Sequence, residues 1–237
     1  MIHLQFIEAL VQPQVDITVP AFFQGRGRYH YAISEKRPSH WSLVFRIYKT
    51  TFDIVLSLIA LPLIAGVALA LLLLNPWFNP GPLFYVQDRL GRYREPFHVI
   101  KFRTMTVAPE GSRSAADGVE TQRITPLGRI LRLSRIDELP NFINVLRGEM
   151  SVIGPRPDTR SHAEQYLIQI PHYSYRYLVK PGITGLAQIE AGYAEGEEAT
   201  ATKAQYDQLY VETSCGRLDV YIAWRTLAVM AFALGAK

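Results

Sequence analysis

Asp137 and Glu138 are adjacent carboxylates placed directly before Leu139 and Pro140. Proline is favoured at the first helical position, so this order predicts that the pair stands at a helix N-terminus. Two uses fit such a pair. Acids in a first turn meet unpaired N–H groups and the positive end of the helix dipole, which stabilises the helix by up to about 1 kcal/mol. Alternatively, one carboxylate stays ionised as a nucleophile while its neighbour holds a hard cation such as Mg2+. A helix N-terminus lowers a carboxylate's proton affinity, which suits the second use. By itself the pair reads more readily as a cap.

Cations surround this stretch. Arg129, Arg132 and Arg135 lie just upstream, as a solvated or membrane-facing basic face or as a phosphate clamp, since guanidinium groups bind phosphate oxygens bidentately. Gly154-Pro155-Arg156-Pro157 holds Arg156 between two prolines, a stiff segment that can aim a guanidinium. Lys180-Pro-Gly-Ile-Thr-Gly185 is a second Gly/Pro corner, a rigid turn or a backbone approach to an anion. None is a phosphate-binding loop or a dinucleotide fingerprint. The six histidines show no metal-ligand spacing, and the single cysteine, Cys215, excludes an intrachain disulfide.

The elements that must position these residues follow from pattern. Ile54–Leu74 is apolar and uncharged, and as a straight helix would run roughly 31 Å, near the ~30 Å hydrocarbon core. Thr51 and Asp53 suit its first turn; Asn75 to Gly81 should end it. Pro62 should kink it, freeing the carbonyl of Leu58 for another donor such as Ser57. Basic residues lie on both sides: Lys36, Arg37, Arg46 and Lys49 before, Arg89, Arg92, Arg94, Lys101 and Arg103 after. Basic flanks prefer the cytoplasmic side, so a hairpin bent near Pro62 keeps both there, whereas a spanning helix does not. The residues leave both topologies open.

Downstream, residues 83–89 and 97–105 read as strands around a turn at Gly91, with Ile100 and Phe102 on one face and Lys101 and Arg103 on the other. Residues 107–121 read as a mobile loop. Residues 126–134 read as a basic helix. Leu139, Phe142, Ile143 and Leu146 fall at helical spacing before Gly148, and 159–170 reads as a further helix. Leu218–Leu234 is apolar but interrupted by Asp219 and Arg225, which predicts an amphipathic helix on the membrane or on the body. Residues 1–44 read as a weakly ordered extension without the pattern of a signal peptide.

The 237 residues carry a net charge of +4 and a pI of about 9.2. That surplus suits anionic lipid or phosphorylated substrates, and no nucleic-acid motif accompanies it.

As an ordered set, these blocks resemble the bacterial sugar transferases that act on polyprenyl phosphate, the monotopic phosphoglycosyl transferases of exopolysaccharide and O-antigen synthesis. The matching runs are FDIVLSL (52–58), PGPLFYVQDRLG (80–91), KFRTM (101–105), RITPLGRILR (123–132), IDELPNFINVLRGEMSVIGPRP (136–157) and KPGITGLAQ (180–188). The resemblance implies an α+β membrane-associated fold: a re-entrant helix-break-helix over 45–78 and a small mixed cytoplasmic catalytic domain over 79–237 with interfacial amphipathic helices. It implies a UDP-sugar and undecaprenyl phosphate as substrates, UMP as product, membrane lipid as surroundings and Mg2+ as cofactor. By the same resemblance Asp137 is the nucleophile and Glu138 the Mg2+ ligand. Lys101, Arg132 and Arg156 match motif cations, Arg103 stands beside Lys101 as a further substrate-binding residue, and Asp207 in YDQLYV matches an acidic position. The implied location is the cytoplasmic face of the bacterial inner membrane. Members often carry Ser-Pro at the helix break, where this chain has Leu61-Pro62, and often continue V-N-G-R after KPGITGLAQ, where it has Ile189-Glu190-Ala191-Gly192-Tyr193 without the arginine. A membrane-anchored subunit without catalysis is the rival reading, and the intact Asp-Glu pair disfavours it. The sequence leaves a homodimer open.

Overall fold

The computed structural model describes residues 41–106, 121–191 and 197–231. The loop expected over 107–121 and the extension up to residue 40 lie outside them, apart from Thr121.

Helix α1 runs from Leu43 to Phe78, 36 residues. It starts before the expected Thr51–Asp53 turn: Ser42 caps it, accepting the Phe45 N–H at 3.1 Å. Rings at Trp41, Phe45, Tyr48 and Phe52 follow one another at helical spacing, 5.2 to 6.2 Å apart, and carry the helical pattern upstream of the apolar stretch. The helix continues through Pro62 and Pro76 without a gap. Each proline removes one donor, but its fixed φ is helical, so the chain tolerates both. The break expected at Pro62 is therefore not an interruption of helical backbone. Ser57 does not serve Leu58; its hydroxyl donates to the Asp53 carbonyl at 2.7 Å.

One stripe of α1 is buried: Lys49, Asp53, Ser57, Ala60, Ile64, Leu71 and Asn75. The rest is bare, with Ile54, Leu58, Ile59, Leu63, Leu69, Leu72 and Leu73 all exposed. Only 17% of its most apolar window is buried. So much contiguous apolar surface is not stable against water, and the helix is long and apolar enough to cross a membrane.

Both ends of the apolar stretch are fastened to the body by polar groups. At the first end, Asp53 Oδ1 accepts from the Val152 N–H at 2.8 Å and Ser151 Oγ at 3.0 Å. One turn earlier, Lys49 Nζ meets Asp219 Oδ2 at 2.9 Å, the Ile153 carbonyl at 2.8 Å and Tyr210 Oη at 3.0 Å. At the other end, Asn79 caps α1 and donates to the Arg103 carbonyl at 2.8 Å.

The body begins with an antiparallel hairpin, β1 (Phe84–Leu90) and β2 (Pro96–Phe102), in register Phe84↔Phe102 to Leu90↔Pro96. The expected alternation holds across β2. Phe97 and Val99 enter the main core with Val145, Met150, Ile153, Tyr210 and Ile222. Phe102 packs instead with Ala60, Ile64 and Leu71 of α1 and with Leu131. Strand β2 thus buries side chains on both of its faces, and burying a Phe of this kind contributes about 2–3 kcal/mol.

Helix α2 (Pro126–Leu133) is capped by Thr125, whose Oγ1 accepts the Gly128 N–H at 3.0 Å. A Cβ at Gly128 would stand 2.0 Å from the Thr104 carbonyl oxygen, so only glycine lets α2 lie this close. Then come α3 (Asn141–Leu146), with Gly148 left-handed just beyond it (φ 79°), and β3 (Ser151–Ile153), parallel to β4 (Gly182–Thr184). Helices α4 (Arg160–Gln169), α5 (Leu186–Glu190), α6 (Glu197–Thr213) and α7 (Gly216–Ala231) complete the described chain. Helix α7 packs on the body, one of the two alternatives for its segment. Leu218, Asp219 and Ile222 face the core, while Val220, Trp224 and Leu227 are exposed.

The Lys49–Asp219 pair is buried, at 8% and 0% side-chain exposure, so removing one partner strands a charge. Asp219→Ala should destabilise the fold by about 3–5 kcal/mol. The Lys49→Met, Asp219→Leu double variant should recover most of that loss, as read by thermal unfolding in detergent.

Candidate functional site

Asp137 and Glu138 arrive on a turn rather than at a long helix's start. Arg135 takes a left-handed conformation (φ 58°), and a single 3-10 turn, Ile136–Glu138, carries both carboxylates. Pro140 follows as the cap of α3. Both acids are buried, at 8% and 9% exposure.

Glu138 is clasped by cations from two other parts of the chain. Its Oε1 accepts from Lys101 Nζ at 2.8 Å and from Arg156 Nη2; its Oε2 accepts from Arg156 Nη1 at 2.9 Å. Burial alone would raise its pKa, but Arg156 and then Lys101 outweigh it and hold Glu138 well below the usual carboxylate range. Glu138 in turn pushes Arg156 up. Burial lowers Lys101, with Arg156 adding to the effect.

Asp137 is the opposite case. Its Oδ1 is buried without a hydrogen-bond partner. Burial, and then the neighbouring Glu138 charge, push its pKa up to about 6, with Lys101, Arg132 and Arg135 opposing. The expected lowering by a helix N-terminus is reversed. One 3-10 turn ahead of a six-residue helix offers little dipole, whereas desolvation and an adjacent anion act at full strength. At neutral pH Asp137 is still mainly ionised, and its raised proton affinity favours bond formation to an electrophile.

Arg132 completes the group around the dyad. Its Nε donates to Thr104 Oγ1 at 2.9 Å and its Nη2 to Met105 Sδ at 2.9 Å. Lys101, Arg132 and Arg156 thus meet where the sequence motifs suggested, from β2, α2 and the segment after β3.

Arg103 and Asp207 do not meet there. The Arg103 guanidinium is spent on the carbonyls of Asn79, Pro82 and Met105 and on Asn79 Oδ1. It locks the end of α1 to β2. Asp207 is 2% exposed, and its Oδ2 faces Arg176 Nη2 at 3.0 Å as an ion pair without hydrogen-bond alignment. Burial pushes its pKa up to about 7 against the pull of Arg176. The 180–185 corner is also structural. A Cβ on Gly182 would lie 2.2 Å from the Gly154 nitrogen, so these glycines let β3 and β4 pair closely where an anion cradle was an alternative reading.

Two arginines went unnoticed in the sequence as site neighbours. Arg89 of β1 donates to the Pro157 carbonyl at 2.9 Å and to Gln87 Oε1 at 2.6 Å. Burial, and then the nearby Arg156, lower its pKa to about 10. Arg176 bonds the Arg156 carbonyl, Asp158 and the Tyr173 hydroxyl. The signal for it was present: a lone cation inside the aromatic run His172-Tyr-Ser-Tyr-Arg-Tyr177.

For a metal, the donors fit in type. Hard carboxylate oxygens lie side by side on one turn, one of them buried and unpartnered. No cluster of three or more His, Cys, Asp or Glu occurs among the described residues. This donor set suits an ion such as Mg2+, which takes one or two carboxylates and completes its shell with substrate phosphate and water.

The profile of the family described as bacterial sugar transferase matches residues 44–233. A UDP-N-acetylgalactosamine-undecaprenyl-phosphate N-acetylgalactosaminephosphotransferase of Aeromonas hydrophila is 39% identical over 83% of this chain and 46% of its own length. A UDP-glucose:undecaprenyl-phosphate glucose-1-phosphate transferase of Klebsiella pneumoniae is 39% identical over 76% of this chain and 39% of its own. The exopolysaccharide production protein ExoY of Sinorhizobium fredii is 29% identical over 80% of this chain and 88% of its own. The chain therefore spans less than half the length of the first two relatives.

The electrostatics predict a titration. In metal-free protein the Asp137 carboxyl carbon should titrate near pH 6 by NMR, and Glu138→Gln should move that midpoint down by removing the adjacent anion. A wild-type midpoint at or below ~4, the unperturbed value, would rule out this account. Because the folded value lies above the unfolded one, Asp137 favours the fold below about pH 4, and that contribution is lost as pH rises through about 6.

Proposed function

Because this chain belongs to the bacterial sugar transferase family, we propose that it moves a sugar-1-phosphate from a UDP-sugar to undecaprenyl phosphate, releasing UMP. The observation that carries the reading is Asp137: a buried carboxylate with an unpartnered oxygen, beside an ionised Glu138 already paired with Lys101 and Arg156. The relatives act on UDP-glucose or UDP-N-acetylgalactosamine, with undecaprenyl phosphate as acceptor.

In the proposed reaction, an Asp137 oxygen attacks the β-phosphorus. The bond from that phosphorus to the bridging oxygen breaks, and UMP leaves with the oxygen and its electron pair. A phosphate oxygen of the lipid then attacks the same phosphorus, restores the Asp137 carboxylate and leaves a lipid diphosphate sugar. Arg156 and Lys101 face the charge that moves onto the phosphate oxygens, and Arg132 adds a third cation from the α2 side. Glu138, with Asp137 beside it, would hold Mg2+, which would supply positive charge against the diphosphate. The exposed Val220, Trp224 and Leu227 of α7, and Ile130 and Leu133 of α2, suit helices lying in the interface. There they keep the site near a lipid head group. ExoY supports a role in exopolysaccharide synthesis.

The same reading makes α1 re-entrant, on the cytoplasmic face of the inner membrane. Both Asp53 and Asn79, either side of the apolar stretch, are tied to one polar body. A spanning helix would carry one of those ties across the bilayer.

Two experiments test this. Asp137→Asn should lower UMP release from UDP-glucose or UDP-N-acetylgalactosamine, with undecaprenyl phosphate and Mg2+, by at least about a thousandfold; near-normal turnover removes the nucleophile. In a Cys215→Ser background, Ile47→Cys and Phe78→Cys should both react with an impermeant thiol reagent from the cytoplasmic side alone, and labelling of the two from opposite sides restores a span.

A further inference from the structure

Arg176 is buried, at 9% exposure, and lies outside every motif that bears on the reaction. Its guanidinium nevertheless wraps the backbone that carries Arg156. Nη2 donates to the Arg156 carbonyl at 2.5 Å. Nη1 donates to Asp158 Oδ2, and to the Tyr173 hydroxyl at 2.6 Å. The Tyr173 hydroxyl itself donates to Asp158, and its ring lies beneath the guanidinium, 4.6 Å from Cζ to the ring centre. Behind Arg176, Asp207 of α6 faces Nη2 at 3.0 Å.

The contacts straddle Pro157. Residue 156 is held by its carbonyl and residue 158 by its carboxylate. Pro155 and Pro157 each fix their own φ, so little freedom remains between the two held points. The direction in which the Arg156 side chain leaves the backbone is then set by Arg176. That direction decides whether both Nη groups reach the two oxygens of Glu138. A lysine cannot replace this fork, since it offers one nitrogen where two separated acceptors must be met.

We propose that Arg176, backed by Asp207, is a positioning residue that aims Arg156 at Glu138. Its catalytic consequence rests on the proposed transferase reaction, but its geometric consequence does not. Arg176→Lys should lower UMP release by about a hundredfold, the scale of a misplacement near 1 Å, with the melting temperature in detergent little changed. In an Arg156→Lys background the same substitution should cost nothing further, because the residue it aims is gone; additive losses overturn the proposal and make Arg176 merely structural.

The second measurement needs no turnover. In arginine-15N-labelled protein, the slowly exchanging Arg156 Nη protons, assigned by their loss in Arg156→Lys, should broaden or vanish in Arg176→Lys. Asp207→Asn, which removes a charge while keeping shape, should weaken them partly and serves if Arg176→Lys does not fold. An unchanged Arg156 signal in the folded variants overturns the proposal. Wild-type protein that releases no UMP while Arg176→Lys still loses the signal overturns the transferase reading alone.

Discussion

Glu138 holds the site together because three separate parts of the chain must meet on one buried carboxylate. Lys101 comes from β2, Arg156 from the segment after β3, and Glu138 from the turn between α2 and α3. A buried carboxylate is costly unless paired and hydrogen-bonded. Here both oxygens are engaged, so the three segments are held in one arrangement. The same pairing separates the two adjacent acids. Glu138 stays ionised under its cations, and its charge, added to burial, raises Asp137. Adjacent identical functional groups acquire different proton affinities from their surroundings, which is how a pair of carboxylates can divide its roles.

A second constraint comes from α1. An apolar helix this exposed needs a cover other than water, yet its polar stripe needs the body. Lys49 and Asp53 hold β3 and α7, while Asn79 and Arg103 hold the far end of the hairpin and the cap of α2. The elements that frame the dyad are therefore suspended between two attachments of one helix. Arg103 and Asp207 illustrate the consequence. Both are charged residues beside motif positions, and both serve to hold the frame. A strongly bonded buried ion is as often a fastening as a reactant.

Much of the organisation was legible in the residues themselves. The β1–β2 hairpin, α2, the glycine stop at Gly148, the 159–170 helix and the two-faced α7 follow from period and punctuation, which act over a few residues. The dyad and the cations Lys101, Arg132 and Arg156 were legible as an ordered set. Misplaced were features whose outcome depends on distant partners. Asp53 looks like a first-turn acid but is taken by Val152 and Ser151. Ser57 turns back to Asp53. Arg103 lies next to a motif lysine but faces Asn79.

By itself, the sequence determined that carboxylates and guanidinium groups suited to phosphate chemistry accompany one long apolar segment, because residue type and local order carry that information. It could not determine the proton affinity of Asp137. Local order pointed to a helix end that lowers it. Tertiary structure decided the opposite, since burial among distant segments and the Glu138 charge outweigh one short turn's dipole. Tertiary structure also decided which cations serve the dyad and which hold the frame, because each choice depends on acceptors supplied from far along the chain.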